Sequence, residues 1–481
     1  MRTQAVARRP SIWYRPLGMV LSILGIILLW RLIPGSPATL ALVGVAALFL
    51  FGLKRPIWAV AALLVSQLTV TSYMISTPFG WISLRLLLLL ATLLIMIPTF
   101  ARRGVDLGPR ARKVIVPVLI LIFISAIANL VNSGFDFAFK DFRNMMVGLL
   151  IVILLPAATR NLKELKILCG VAFVVIAASA VIGLMQHYGF LGMDQATLIP
   201  NFLSGDWEGA PRVPGMGETE LELAYILSAT LLVVLAMYLA KGVNSSTKKL
   251  LVIAMLLMAP ALYFTYTRSA LLALVLGLAT LPLFVKTRIR GEVILSAALA
   301  VILLIELTGA FEGMHLGGRA EEVQEESTIS RKILWQAGID IALDNPVLGI
   351  GGDRFGVVST EYTSSVDPSL LEWEEERYWG YRTLGSGAIH NDFLHVWVSY
   401  GTVALVVYAW LFMVTMRNFV EAYRKSQRGF IKGLALGLAC ALVAYVVNAF
   451  YHNLMRTLCL LYTSDAADEG LGVDLGGRRI I

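Results

Sequence analysis

The sequence predicts an all-α fold: a polytopic bundle of about thirteen transmembrane helices, short of a last one, with a large, partly helical external loop. Three observations carry this. Of 481 residues, 58% are hydrophobic and only 15% are charged, where a soluble domain carries about a quarter; the mean hydropathy is +0.76. Apolar runs of about 17 to 25 residues, each able to cross ~30 Å of hydrocarbon as a helix, recur from Leu17 to Phe450. Basic residues gather in alternate loops, which places those loops on the cytoplasmic side. The net charge of +8 therefore reports orientation in a lipid bilayer and not affinity for nucleic acid.

The runs lie near 17–33, 37–53, 56–76, 81–100, 114–131, 144–158, 167–186, 221–240, 250–267, 268–285, 293–310, 391–416 and 433–450. Residues 1–16 hold Arg2, Arg8, Arg9 and Arg15 and precede a long apolar run without an AxA site, so they read as a cytoplasmic basic segment leading into a signal anchor. Lys54 with Arg55, the run ARRGVDLGPRARK, Arg160 with Lys163 and Lys166, Lys241 with Lys248 and Lys249, KTRIR, and RNFVEAYRKSQRGFIK fall on one face. The other face receives a loop near 187–220 and a segment at 311–390, which follows a bundle over 17–310 and precedes the C-terminal helices at 391–456. From 457 a helix start, TLCLLY, gives way to TSDAADEGLGVDLGGRRII, which cannot span and reads as a non-native tail over 457–481.

Cys169, Cys440 and Cys459 sit in apolar runs with no CxxC spacing, so neither a disulfide framework nor a metal site is expected. The 311–390 segment carries fourteen Asp or Glu against six Lys or Arg, an acidic domain long enough to fold on itself. Within it, STISRKILWQAGIDIALDNP opens on Ser and Thr caps, spaces Ile329, Ile333, Trp335, Ile339 and Leu343 as one helical face, and stops at Asn345-Pro346. It reads as a helix lying along the membrane surface or over the bundle. The following GIGGDRFG has no strand before it, so a turn explains it better than a phosphate loop. LEWEEERYWGYR, with Trp373, Tyr378, Trp379 and Tyr381, reads as an interfacial aromatic belt with solvated carboxylates, or as a sugar-stacking surface.

Polar groups at the edge of a membrane helix are costly unless partnered or used, which directs attention to GAIHNDFLHVWVSYG. His390 stands at the outer mouth of a span, where an imidazole can cap a helix or take a proton from a hydroxyl. His395 is five residues on, too far around the helix to share a metal with it. Arg212, Arg268 and Arg331 fall on the same outer face. Guanidinium forks there either snorkel to headgroups or hold a diphosphate bidentately. Glu218, Glu220 and Glu222 are loop acids that either orient the arginines, serve as an alternative base, or stay solvated.

TYTRSALLALVLGL, SRKILWQAGIDIALDNPVLGIGGDRF and HNDFLHVWVSYGTVALV together resemble the O-antigen ligase and polymerase family of bacterial membrane glycosyltransferases, over about Gly183 to Arg456. His390-Asn391 and Gly401 match its signature, with Ala404 where the family has a second glycine, and Glu220-Leu221 replaces its usual Pro-Asn. The resemblance implies transfer of a glycan from an undecaprenyl-diphosphate-linked donor to a lipid A core or glycan acceptor, with inversion and without metal or other cofactor. It implies an enzyme of the bacterial inner membrane with a periplasmic active site. His390 is then the catalytic base and Arg268, Arg331 and Arg212 the diphosphate-binding residues, supported by Asn391, Glu218 and Trp335. Two alternatives stand beside ligation: a polymerase that extends a carrier-linked glycan, and a transporter or flippase for the lipid-linked sugar, which needs no base at His390.

Overall fold

The computed structural model of the chain describes residues 52, 55–68, 74–77, 80–103, 107–159, 161–190, 212–217, 219–284, 321–352, 354–377, 383–385 and 388–454. The expected spans at 17–33 and 293–310, nearly all of 37–53, the basic segment 1–16, Cys459 and the tail lie outside the described residues.

The described chain is helical apart from one small hairpin. The helices are α1 (Ile57–Leu68), α2 (Leu84–Arg103), α3 (Gly108–Asn132), α4 (Phe135–Ala158), α5 (Leu162–His187), α6 (Glu220–Leu239), α7 (Ser245–Tyr263) and α8 (Arg268–Phe284). Then follow α9 (Glu321–Asp344), α10 (Phe355–Val358), a 3-10 turn (Ser359–Ser365), α11 (Pro368–Arg377), α12 (Asp392–Lys425) and α13 (Gly429–Ala449). Seven of these, α3 to α7, α12 and α13, are long and apolar enough to cross a membrane, and α1, α2 and α8 are shorter apolar helices. The protein is thus a multi-pass helical bundle.

The run at 56–76 is not one span. Helix α1 ends at Leu68, and β1 (Met74–Thr77) pairs antiparallel with β2 (Gly80–Ser83). The β-branched Ile75, Thr77 and Ile82 favour extended backbone in these two strands.

Helix α13 is the axis of the bundle. Its Gly433 and Gly437 let backbones meet: a β-carbon on them would stand 2.9 Å from the Met237 Cα and 2.5 Å from the Val233 Cα of α6. Small residues at this spacing are how membrane helices gain contact where lipid already satisfies apolar surface. One core joins α5, α6, α7, α8 and α13 around Leu227, Leu232, Met258, Ala270 and Cys440. A second joins α3, α4, α12 and α13 around Val114, Val152, Tyr408 and Leu442. Cys440 is buried and Cys169 half-buried, both reduced.

Helix α12 is broken at Gly401, whose φ and ψ are 84° and 177°. Backbone groups freed inside a membrane helix must be satisfied by protein. Here the turn after α9 satisfies them: Thr402 N donates to Pro346 O (2.8 Å), Ile350 N to Val398 O (2.9 Å) and Gly351 N to Ser399 O (3.0 Å). The same turn is bonded to α3, with Gly352 N donating to Asn129 Oδ1 (2.6 Å) and Asn132 Nδ2 to Gly349 O (3.3 Å). Tyr400 OH and Asn129 Nδ2 both donate to Asp141 Oδ2 at 2.7 Å. The glycine-rich start of GIGGDRFG, residues 349–352, is therefore part of a turn that plugs the broken helix, and Phe355 and Gly356 open α10.

Helix α9 differs from its expected form in two ways. It starts at Glu321, so Ser327 and Thr328 lie inside it and do not cap it. Ile329 and Ile333 are buried with Leu334, Ala337 and Ile341, yet Ile339 and Leu343 are exposed, so the two do not belong to the packed face. Its core is closed by Phe355, Ile389, Leu394 and Val398 on one side and by Val366 and Leu384 on the other.

Gly401→Ala should lower the melting temperature of the detergent-purified protein, because a β-carbon there overlaps the Val347 carbonyl and forces a residue into a strained conformation worth about 1–3 kcal/mol. Gly170→Ala in α5, where a β-carbon meets nothing within 4 Å, should leave it unchanged or raise it slightly.

Candidate functional site

Asn391 is the N-cap of α12, accepting from Leu394 N at 3.0 Å through Oδ1. Asn, with a short side-chain acceptor, is a preferred cap. The residue before it, His390, has φ of +55°, a left-handed conformation that costs a non-glycine residue about 1–3 kcal/mol and collects at functional sites. Two side chains from distant parts of the chain hold it there. Trp335 Nε1 of α9 donates to Ile389 O (3.1 Å), and Asn391 N donates to Asn453 Oδ1 (3.1 Å). Asp392, fully buried in the first turn, accepts from Tyr408 OH at 3.1 Å.

Arg331 lies one helical turn before Trp335 on α9, so the contact of Trp335 with Ile389 carries the guanidinium to the His390 ring, whose charge it senses. The His452 ring, just beyond α13, stands edge-on to His390 with centroids 6.0 Å apart and lies 5.4 Å from the Tyr225 ring. The Tyr225 hydroxyl faces Ser269 and sits in the field of Arg331 and Arg212.

Arg212 is fixed from three directions. It forms a 2.6 Å ion pair with Glu220 through Nη1 and donates to Thr265 O through Nε and to Thr267 Oγ1 through Nη2, both at 3.0 Å. These contacts tie the loop before α6 to the tip between α7 and α8. The turn carrying Arg212 is itself clamped: Gly215 N donates to Gln186 Oε1 (2.8 Å), Gln186 Nε2 to Gly215 O (3.1 Å), and Met216 N to Ser179 Oγ (2.9 Å). Glu220 thus orients Arg212.

Three of the four expected charged groups, His390, Arg331 and Arg212, share one electrostatic neighbourhood with His452 and Tyr225. Arg268 opens α8 between Thr267, which holds Arg212, and Ser269, which faces Tyr225; its side chain is exposed at that tip. Glu218 lies outside the described residues, as do Tyr378, Trp379 and Tyr381. Trp373 packs against the α9 core, and Glu374, expected among solvated carboxylates, is buried and accepts from Thr383 N at 2.7 Å. His395 points elsewhere: its Nδ1 is 3.5 Å from Ser399 Oγ and its ring faces Tyr400.

Burial and the Arg331 charge hold the His390 imidazole below its ordinary pKa. Burial, Arg331, His390 and Arg212 hold His452 well below it. Both rings are therefore neutral at pH 7, able to accept a proton, while the guanidinium groups stay charged.

His452, Asn453 and Tyr225 were not singled out from the sequence. His452 and Asn453 follow α13 in a short polar YHN, the one available signal, and Tyr225 lies inside an apolar run. Trp335→Phe and Asn453→Leu each remove one bond from the backbone of the residues flanking His390 and should each cost about 1 kcal/mol in thermal unfolding, whereas Asn453→Asp, which retains the acceptor, should lose less.

Residues 253–409 match a family model described as O-Antigen ligase. The match covers about a third of the chain, from α7 to just beyond the break in α12, and contains Arg268, Arg331, His390 and Asn391. No curated protein matches the chain. The stretch 253–409 is thus similar to the O-antigen ligase family, and it carries these four residues in one helical bundle.

Proposed function

We propose that the protein transfers a glycan from an undecaprenyl-diphosphate-linked donor to an acceptor hydroxyl, at the periplasmic face of the bacterial inner membrane. The observation that carries this is the placement of a neutral, half-buried His390 beside the Arg331 guanidinium at the end of a membrane helix. In the proposed reaction, His390 takes the proton of the acceptor hydroxyl as its oxygen bonds to the anomeric carbon. The bond from that carbon to the diphosphate oxygen breaks on the opposite side, inverting the centre, and the electron pair leaves with the carrier diphosphate.

Arg331, Arg212 and Arg268 supply positive charge to that leaving group, each such donor being worth about 3 kcal/mol in a site shielded from water. Permanently charged forks suit a diphosphate because they bind two oxygens at once and cannot lose their proton. The arginines and imidazole account for charge and proton, so the proposed reaction uses no metal. Ligation to lipid A core and polymerisation onto a carrier-linked glycan differ in the acceptor alone; mass analysis of products from purified protein, labelled carrier-linked glycan and each acceptor separates them.

His390→Ala should abolish transfer, losing roughly 10²- to 10⁴-fold or more, with donor binding and protein level retained. Transfer at the unaltered rate would remove the base from His390, and transport of carrier-linked sugar by this variant would favour a flippase. The acid limb of the rate profile should lie below pH 6.5, since the His390 pKa is depressed. Removing a neighbouring positive charge favours the imidazolium, so Arg331→Gln should move that limb upward as well as slowing transfer. Arg268→Lys should also slow transfer, because a point charge does not reproduce the fork.

A further inference from the structure

We infer that the C-terminal end of α9 and the turn after it are set into the lipid bilayer, where Ile339, Leu343 and Val347 meet acyl chains at the edge of one leaflet. The three residues are 44%, 58% and 70% exposed. Two of them, four residues apart on α9, form a stripe on a face other than the packed one, and Val347 continues it past the helix end.

Two helical rulers place this stripe at the same height. The Val347 and Pro346 carbonyls lie against Gly401 of α12, and sixteen residues separate Gly401 from Arg417, a rise of roughly 24 Å at 1.5 Å per residue. On α3, Asn132 Nδ2 donates to the neighbouring Gly349 O, and Asn132 stands nineteen residues beyond Lys113, a rise of roughly 28 Å. The basic ends of the two rulers are level, since Arg110 pairs with Glu421 at 3.9 Å and accepts from Asn418 Nδ2 at 3.4 Å through its carbonyl. A hydrocarbon layer of about 30 Å measured from those ends reaches the Pro346–Gly351 turn.

The stripe is also continuous with surfaces that face lipid. Val403 and Val406 are exposed on α12 directly below the turn, and Leu130 and Val131 are exposed at the end of α3 beside it. At its upper rim the chemistry changes: Asp344 accepts from Tyr362 OH at 2.9 Å, and Trp397 Nε1 donates to Thr402 Oγ1 at 3.0 Å, as expected of groups at headgroup level. The irregular backbone of the turn is permitted at this depth because α12 and α3 satisfy its polar groups. The wedge fixes the height of α9, and with it Arg331 two turns earlier, relative to the membrane.

The test places nitroxide labels at Leu343→Cys and Val347→Cys in a background with Cys169, Cys440 and Cys459 replaced by Ala, in liposomes of phosphatidylethanolamine and phosphatidylglycerol. Labels at Phe123→Cys, on the exposed face of α3, and Glu361→Cys, on the exposed 3-10 turn, serve as lipid and water references. Relaxation of the 343 and 347 labels by oxygen in preference to an aqueous nickel chelate, as at 123, is the expected result. Relaxation by the chelate, as at 361, would overturn the inference, and so would shielding from both reagents, which would mean that protein covers the stripe.

Discussion

The structure depends on one requirement, that no backbone polar group be left unsatisfied inside the membrane. Helix α12 is interrupted at Gly401, and the groups freed by that interruption are bonded by the turn that ends α9. Gly349 and Gly401 are both at positive φ because backbone passes where a β-carbon would stand. The upper part of α12, which begins at the His390-Asn391 pair, and α9, which carries Arg331, are thereby fastened together at this joint as well as through their shared core. Asp141, Asn129 and Tyr400 brace the joint from α3 and α4.

Above the joint, the geometry around His390 is set by bonds to its neighbours in the chain more than by contacts to its ring. Ile389 and Asn391 are each held by a side chain from another element, leaving the intervening residue in a conformation it would not choose. Burial and the nearby arginines keep the imidazoles uncharged, so that proton acceptors and permanent cations share one electrostatic neighbourhood. This division of labour, basic nitrogen in one residue type and fixed charge in another, is what the proposed reaction, with a hydroxyl nucleophile and an anionic leaving group, requires.

Much of this was legible in residue order because the signals were local. The spans over α3 to α7, α12 and α13 follow from apolar length, and the end of α9 from Asn345-Pro346. The hairpin at Met74–Ser83 was hidden inside an apolar run, where hydropathy does not distinguish strand from helix. The outward turn of Ile339 and Leu343 was hidden because helical periodicity identifies a face without saying whether protein or lipid meets it.

The sequence by itself determined that the chain is a polytopic membrane bundle and that α9 stops at Asn345-Pro346, since each of these is a property of contiguous residues. Only the tertiary structure decided that His452, Tyr225 and Asn453 join His390, that Glu220 orients Arg212, and that the glycine turn plugs α12. Those partners come from places as far apart in the chain as α6 and the segment after α13. Which of them meet is fixed by how close the glycines of α13 let its neighbours approach, a quantity that no local pattern encodes.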